Sequence, residues 1–262
     1  MISKTKLKEL AAYRQQKVQD AEGVFVVEGA KMAAEALATG AEVLYTCATS
    51  EWKVESGKWS VGEFYEVTQA ELERLSLMRA PQQVWMVVRR SAECGVRSSE
   101  LEVGTQNSAL STQHSELILS LDRIQDPGNM GTIMRTADWY GVRRIVCSRD
   151  TVSCYNPKVV QASMGAVFRT RVEYVDLPQW LSTCGMEVIG ASVDGEPISG
   201  KWKVEGGKPV VLLIGNEGRG ISEEAMRQVT RRATIPNRGG TAESLNAAVA
   251  AAILMDRIVG GN

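Results

Sequence analysis

The chain has 262 residues with 30 basic and 31 acidic side chains, which allows one large or two ordinary domains and requires any polyanion site to be a local basic patch. No apolar run approaches membrane-spanning length, and five widely spaced cysteines without a CxxC pair favour reduced thiols in a cytoplasm over a disulfide or zinc framework. The single histidine, His114, lies in a polar stretch, which argues against histidine-based triads, metal sites and acid–base catalysis.

Residues 1–90 alternate helix and strand signals. A first helix carries Lys4, Lys8 and Arg14 around an apolar face. Strands are expected at 24–27, 43–47, 64–67 and 84–88, and a helix at 30–38. Thr68 and Glu71 form a capping box that predicts a second helix from there to residue 76. We expect a small α/β domain at 1–90 without catalytic residues.

Residues 91–116 break this pattern. Ser, Gly, Gln, Asn and Glu dominate, and the few apolar residues show no period. The composition predicts a flexible connection between two domains.

Residues 117–262 read as a second α/β domain. Strands are expected near 117–121, 144–147, 172–175, 188–192, 210–214 and 234–235, and helices near 130–140, 157–164, 178–182, 223–229 and 244–258. Strands that alternate with helices predict a mostly parallel sheet with helices on both faces.

Three polar, Gly-rich segments follow strands of this second domain, at residues 121–142, 210–222 and 233–253. Open α/β sheets bind ligands at the carboxyl ends of their strands. We therefore expect the three segments to share one pocket.

In the first segment, Asn129 is expected to cap a helix after the turn formed by Asp126, Pro127 and Gly128. Arg135 lies beside the apolar stripe of that helix. Taken alone, this segment favours a capped helix with a surface Arg135–Asp138 pair.

The second segment, residues 215–220, differs from both GxGxxG and the GxxxxGK[ST] phosphate loop. Its carboxylate, Glu217, suits a cationic or hydrogen-bond-donating ligand better than a phosphate, and a simple turn before a helix capped by Ser222 is an equal alternative. In the third segment, Ser244 is expected to cap a buried helix, and Asn246 in its first turn favours a ligand role.

Together these motifs resemble the SpoU (TrmH-type) family of RNA ribose methyltransferases. The first family motif matches Asn129, Gly131 and Arg135 here. The residues that match the other two motifs are Gly215, Asn216, Glu217, Gly218, Gly220, Ile235, Pro236, Ser244, Leu245 and Asn246. More weakly, residues 25–29 with the following helix are similar to the RNA-binding substrate domain often found ahead of this catalytic domain. One departure is the loop at 237–240, which is one residue longer than is usual in the family.

The resemblance implies S-adenosylmethionine as cofactor, methylation of a ribose 2′-hydroxyl in structured RNA (ribosomal more than transfer RNA), a homodimer and a deep trefoil knot in the second domain. It implies catalytic roles for Asn129, Arg135, Glu217, Ser244 and Asn246. The cofactor would be held by Gly215, Asn216, Ile235, Leu245 and Asn246.

RNA contacts are expected from Arg135, Lys158, Lys4, Lys8 and Arg14. Family mechanisms use the arginine that matches Arg135 as a base. Because guanidinium stays protonated in proteins, we expect Arg135 to bind an RNA phosphate and hold the ribose instead.

Three other functions share the α/β pattern. A nicotinamide-dependent oxidoreductase requires a glycine fingerprint after the first strand of the domain, and residues 122–127 lack it. A transfer RNA methyltransferase and a non-catalytic RNA-binding protein of the same fold remain open.

Overall fold

The computed structural model describes residues 2–52, 61–91, 96–97, 117–198 and 209–259. The chain forms two compact units: an N-terminal unit of Met1–Ala92 with Ser153–Arg169, and a C-terminal unit of Glu93–Val152 with Thr170–Asn262. The sequence-based boundaries differ, since they place Ser153–Arg169 in the second domain.

The N-terminal unit contains a four-stranded sheet in the order β1-β4-β2-β3, in which only the pair β2–β3 is parallel. Its elements are α1 (Lys4–Ala11), a 3-10 turn (Ala12–Arg14), α2 (Gln16–Glu22), β1 (Val24–Glu28), α3 (Ala30–Ala38), β2 (Val43–Ala48), β3 (Glu63–Glu66), α4 (Gln69–Leu75) and β4 (Val84–Arg89). The predicted capping box is confirmed, because Thr68 and Glu71 exchange hydrogen bonds at the start of α4. The fully buried Leu10, Leu72 and Trp85 form the centre of its core.

The segment Ser153–Arg169 joins the N-terminal unit through aromatic and polar contacts. The Phe25 ring lies 4.7 Å from the Tyr155 ring and 5.8 Å from the Phe168 ring. The segment carries α6 (Pro157–Ser163) and a second 3-10 turn (Ala166–Phe168). Sequence reasoning missed this packing because the segment is framed by two strands of the second domain.

The C-terminal unit is built on a parallel sheet in the order β11-β9-β10-β6-β7-β8-β5, and each pairing between neighbours in that order is parallel. Its elements are β5 (Val96–Arg97), β6 (Leu117–Leu121), α5 (Pro127–Trp139), β7 (Arg144–Ser148), β8 (Arg171–Val175), α7 (Leu177–Thr183), β9 (Glu187–Pro197), β10 (Val210–Ile214), α8 (Glu223–Met226), β11 (Arg231–Thr234) and α9 (Ala247–Val259). The predicted α/β fold with a parallel sheet is therefore confirmed.

The central strands β6 and β10 fix the position of the polar segments. Every residue of both strands is buried, as continuous apolar runs predict for strands covered on two faces. They pair with Ile214 opposite Leu121, so both strands end at the same level. The segments that begin at Asp122 and Gly215 therefore start side by side.

Several bounds differ from the expected ones; α5, for example, begins at Pro127 rather than at residue 130. β9 runs to Pro197, β11 ends at Thr234 and α9 begins at Ala247 rather than at residue 244. Of the predicted linker at 91–116, the structure describes Ser91 and β5, which pairs with β8; His114 and Cys94 lie outside the described residues. No disulfide links the four described cysteines, and burial raises the pKa of the Cys47 thiol to about 12.

Candidate functional site at the carboxyl edge of the parallel sheet

The first segment begins its helix with Asp126, and the expected cap at Asn129 is wrong. The Asp126 carboxylate accepts a 2.7 Å hydrogen bond from the Asn129 backbone N–H, and Pro127 takes the first helical position. Proline suits that position because its fixed φ matches the helix and its missing N–H needs no partner. Asn129 is thus the third residue of α5, and its side chain is available for other contacts.

The Asn129 amide joins all three polar segments. Its Nδ2 donates a short hydrogen bond to Glu217 Oε1, 88 residues away in sequence. Its Oδ1 accepts a 2.9 Å bond from Asn246 Nδ2, 117 residues away. The predicted convergence of Asn129, Glu217 and Asn246 is confirmed by these contacts.

Asn246 is the residue that precedes α9, and its side chain caps that helix. Its Oδ1 accepts hydrogen bonds from the backbone N–H groups of Ala248 (2.9 Å) and Val249 (3.3 Å). The expectation that Ser244 caps a buried first turn is therefore wrong. Ser244 and Leu245 are exposed, because the helix starts after them.

The segment after β10 folds into a tight loop. Asn216 and Gly220 exchange backbone hydrogen bonds of 3.0 and 2.9 Å. A side chain at Gly215 would place its Cβ 2.3 Å from the Gly220 backbone, so only glycine permits this approach. The loop presents Glu217 toward Asn129 and leaves residues 218–220 exposed.

Asp122 is a residue of this edge that sequence reasoning missed. Its carboxylate is buried, with 3% of the residue exposed, and its Oδ2 accepts a 2.6 Å bond from the Ser222 backbone N–H. It thereby ties the end of β6 to the start of α8. Its position directly after a buried strand was the available signal.

Arg135 lies on the exposed face of α5. The expected pair with Asp138 is wrong, since Asp138 lies 3.6 Å from Arg143 Nη1 instead. Within the described part of the chain, Arg135 takes part in no ion pair or hydrogen bond. Its guanidinium is therefore available to an anionic ligand.

The remaining predicted residues fall into two groups. Gly215 follows β10, Ile235 follows β11 and Leu245 lies two residues before α9. The long loop after Ile235 is held by Asn237, whose Oδ1 accepts hydrogen bonds from the Gly239 and Gly240 N–H groups. The expected RNA contacts outside this edge belong to the N-terminal unit and are exposed; they are Lys4, Lys8, Arg14 and Lys158.

Among the described residues, none of the helices combines the length and apolar character needed to cross a lipid bilayer. Within the same ranges, no group of three or more His, Cys, Asp or Glu side chains is arranged to hold a metal ion.

The parallel sheet carries a network of two amides and a carboxylate at its carboxyl edge, which is where open α/β proteins bind their ligands. The model of the SpoU rRNA Methylase family matches residues 116–256, and that of the MRM3-like substrate binding domain matches residues 4–85. The chain belongs to the SpoU rRNA methylase family, which confirms the resemblance found in the sequence.

Several relatives match nearly the whole chain, among them the following three. A TrmH-family protein of Porphyromonas gingivalis has a solved structure with TM-score 0.79 and 32% identity, over 98% of both chains. An AdoMet-bound rRNA methyltransferase of Sinorhizobium meliloti has TM-score 0.79 and 28% identity, over 98% of this chain and 95% of its own. The 23S rRNA (guanosine(2553)-2′-O)-methyltransferase RlmP of Bacillus subtilis is 27% identical over 97% of this chain and all of its own.

Proposed function

We propose that this protein transfers a methyl group from S-adenosylmethionine to a ribose 2′-hydroxyl of ribosomal RNA. The observation that carries the proposal is the Glu217–Asn129–Asn246 network, which joins the three family motifs at one sheet edge. The B. subtilis relative acts, by its name, on 23S rRNA, and the N-terminal unit matches a substrate-binding domain. The first match supports ribosomal RNA as the substrate, and the second supports a separate substrate-binding unit. We place the reaction in the cytoplasm.

The residues at the ends of β10 and β11 suit the cofactor. Gly215 and Ile235 directly follow β10 and β11, and Leu245 exposes an apolar side chain before α9; backbone groups and an apolar side chain together would fit an adenine ring and its nitrogens. The Asn216 side chain holds the loop after β10, and Asn246 would contribute from the start of α9. When bound, the cofactor supplies a methyl group on a positively charged sulfur.

The protein's own residues would hold the acceptor. Arg135 binds an RNA phosphate and so fixes the ribose in line with the methyl group, an arrangement that supplies much of the rate enhancement. The Glu217 carboxylate orients the Asn129 amide, which in turn orients Asn246, and Ser244 offers a hydroxyl beside them. As the O–C bond forms and the C–S bond breaks, the hydroxyl proton passes to the RNA phosphate or to water, because a guanidinium does not accept one.

A homodimer is part of this proposal. α5 and α9 pack together, and their outer surface exposes Trp139 at 86% and Val249 at 47%. Large apolar side chains with such exposure are typical of an interface between subunits. Sedimentation of the wild type and of Trp139→Ser measures it, since the variant is expected to shift toward monomer. The trefoil knot implied by the family stays a prediction.

The direct test is incubation with tritiated S-adenosylmethionine and unmodified ribosomal RNA, with transfer RNA in a parallel sample. We expect label in ribosomal RNA only. Label in transfer RNA alone would favour the transfer RNA alternative. Failure to bind the cofactor by calorimetry would favour a non-catalytic RNA-binding protein.

A further inference from the structure

We propose that Arg123 and Arg219 form a phosphate-binding pair for RNA beside the methylated ribose, and that Asn216 is the residue that positions both. This inference rests on the proposed function, since it assumes that the carboxyl edge of the sheet receives RNA. It adds contacts separate from Arg135 and from the four basic residues of the N-terminal unit.

The Asn216 side chain bridges the backbones of the two arginines. Its Nδ2 donates a 2.9 Å hydrogen bond to the Arg123 carbonyl. Its Oδ1 accepts from the backbone N–H groups of Gly218 (3.0 Å) and Arg219 (3.2 Å). One amide therefore fixes the end of β6 and the tip of the 216–220 loop relative to each other.

Arg123 has a backbone conformation that demands an explanation. Its φ is +58°, in the left-handed region that side chains other than Gly, Asn and Asp rarely adopt. The Ser148 hydroxyl accepts its N–H at 2.8 Å and Asn216 donates to its carbonyl, so both sides of the residue are clamped. Strained residues that are held in this way concentrate at functional sites.

The Arg123 guanidinium also has unused donors. Its Nε is buried and makes no hydrogen bond, although Asp122 lies 3.6 Å away. Across the described residues no side chain or carbonyl accepts from its other nitrogens. The side chain is 26% exposed, and buried donors of this kind normally have a partner, which an anion reaching the site would supply.

Arg219 is held differently but is equally available. It stands at the exposed tip of a loop closed by the Asn216–Gly220 backbone bonds, two residues after Glu217. No carboxylate in the described part of the chain pairs with it. A guanidinium on a rigid loop loses little conformational freedom when it binds a phosphate.

Most other arginines of the C-terminal unit are neutralised by carboxylates. The paired ones are Arg143, Arg144, Arg171, Arg227, Arg231 and Arg232. Arg123 pairs with Asp122 at 3.6 Å but makes no hydrogen bond through Nε, and Arg219 pairs with no carboxylate among the described residues, so both keep donors that an anion can use. Both an RNA phosphate and the carboxylate of the cofactor are such anions, and two arginines on separate segments favour the extended polyanion.

The test measures RNA and cofactor affinity separately. Fluorescence anisotropy with a fluorescein-labelled stem–loop RNA, at several KCl concentrations, gives the RNA Kd and its salt slope; calorimetry gives the cofactor Kd. The variants are Arg123→Ala, Arg219→Ala, Arg219→Lys and Asn216→Ala. The matched control is Arg227→Ala, which removes a 70% exposed arginine that directly follows α8 and already faces Glu223 at 4.0 Å.

We expect Arg123→Ala and Arg219→Ala each to weaken RNA binding about tenfold and to reduce the salt slope by about 0.7 to 0.9, with cofactor affinity unchanged. Arg219→Lys should lose less than Arg219→Ala because it retains the charge. Asn216→Ala should weaken RNA binding more than cofactor binding although it removes no charge. Arg227→Ala should match the wild type.

The inference is overturned if Arg123→Ala and Arg219→Ala keep the wild-type RNA affinity and salt slope. It is also overturned if these variants lose cofactor affinity as much as RNA affinity. The proposed function fails separately. If the wild type transfers no methyl group but the variants still bind RNA more weakly, the phosphate pair stands and the proposed reaction is wrong.

Discussion

At the amino ends of β7 and β8, Arg144 and Arg171 both pair with Glu173, at 2.9 and 3.0 Å. At the carboxyl ends of β6 and β10, Arg123 pairs with the neighbouring Asp122 at 3.6 Å without a hydrogen bond from Nε, and Arg219 pairs with no carboxylate in the described structure. Both ends belong to the same sheet, but Arg144 and Arg171 are the first residues of their strands, whereas Arg123 and Arg219 lie in the segments that follow theirs. We infer that charge at the amino ends stabilises the fold, and that charge at the carboxyl ends serves the proposed RNA site.

The largest expected effect concerns stability at the amino ends. Glu173→Ala removes a carboxylate that is only 1% exposed and leaves two arginines uncompensated. Breaking such a pair costs about 3 kcal/mol of unfolding free energy, at the low end of the usual range because the arginines can regain water. Urea denaturation measures it. Glu196→Ala is the control, since the Glu196 side chain is 70% exposed and its pair with Arg231 should contribute less than about 1 kcal/mol to the free energy of unfolding. Equal losses of unfolding free energy in the two variants would contradict a stabilising role for the amino-end charges.

The next effect concerns catalysis at the carboxyl ends. Arg135→Ala should lower methyl transfer at least about 10²-fold, as misplacement of the reacting group does, and leave cofactor affinity within a few-fold of the wild type. Steady-state kinetics and calorimetry measure the two quantities. Arg143→Ala, which removes an arginine already paired with Asp138, should change neither. Parallel losses of activity and cofactor affinity in Arg135→Ala would contradict the division of roles.

A double-mutant cycle sharpens the account of the network. Asn129→Ala and Glu217→Ala each break the same charge-assisted hydrogen bond, so the double variant should lose less than the sum of the single losses. The expected coupling in kcat/KM is about 2 kcal/mol. Strictly additive losses would show that the two side chains act independently.

The smallest effect separates the helix cap from the site. Asp126→Ala should cost about 1 kcal/mol of stability, the usual value for an N-cap. Asn129→Ala should cost less stability but more activity, because its side chain faces Glu217 and Asn246. The opposite pattern in urea denaturation and kinetics would restore Asn129 as the cap.

Sequence patterns were sufficient for the strands. The apolar runs of β6 and β10 are bounded by turn residues, so their limits at Leu121 and Ile214 follow from composition alone. Helix starts were less predictable, because several polar residues competed for each cap. The proline at 127 was the signal that favoured Asp126, and nothing comparable distinguished Ser244 from Asn246.

Contacts between distant segments depended on strand order. The chain places β10 between β9 and β6, and only this order brings Glu217 to Asn129. Periodicity does not give such an order; the shared pocket was predicted from the position of the three polar segments after strands, and the family resemblance added which residues meet there. The bridging role of Asn216 and the left-handed φ of Arg123 needed coordinates, since both depend on where two loops meet.

The central claim is that this edge of the sheet presents a methyl donor to a ribose hydroxyl. The most direct measurement is the position of the transferred methyl group, found by digesting the labelled ribosomal RNA to nucleosides and analysing them by mass spectrometry. The account predicts label in a 2′-O-methylnucleoside from a single site. Label on a base would contradict it.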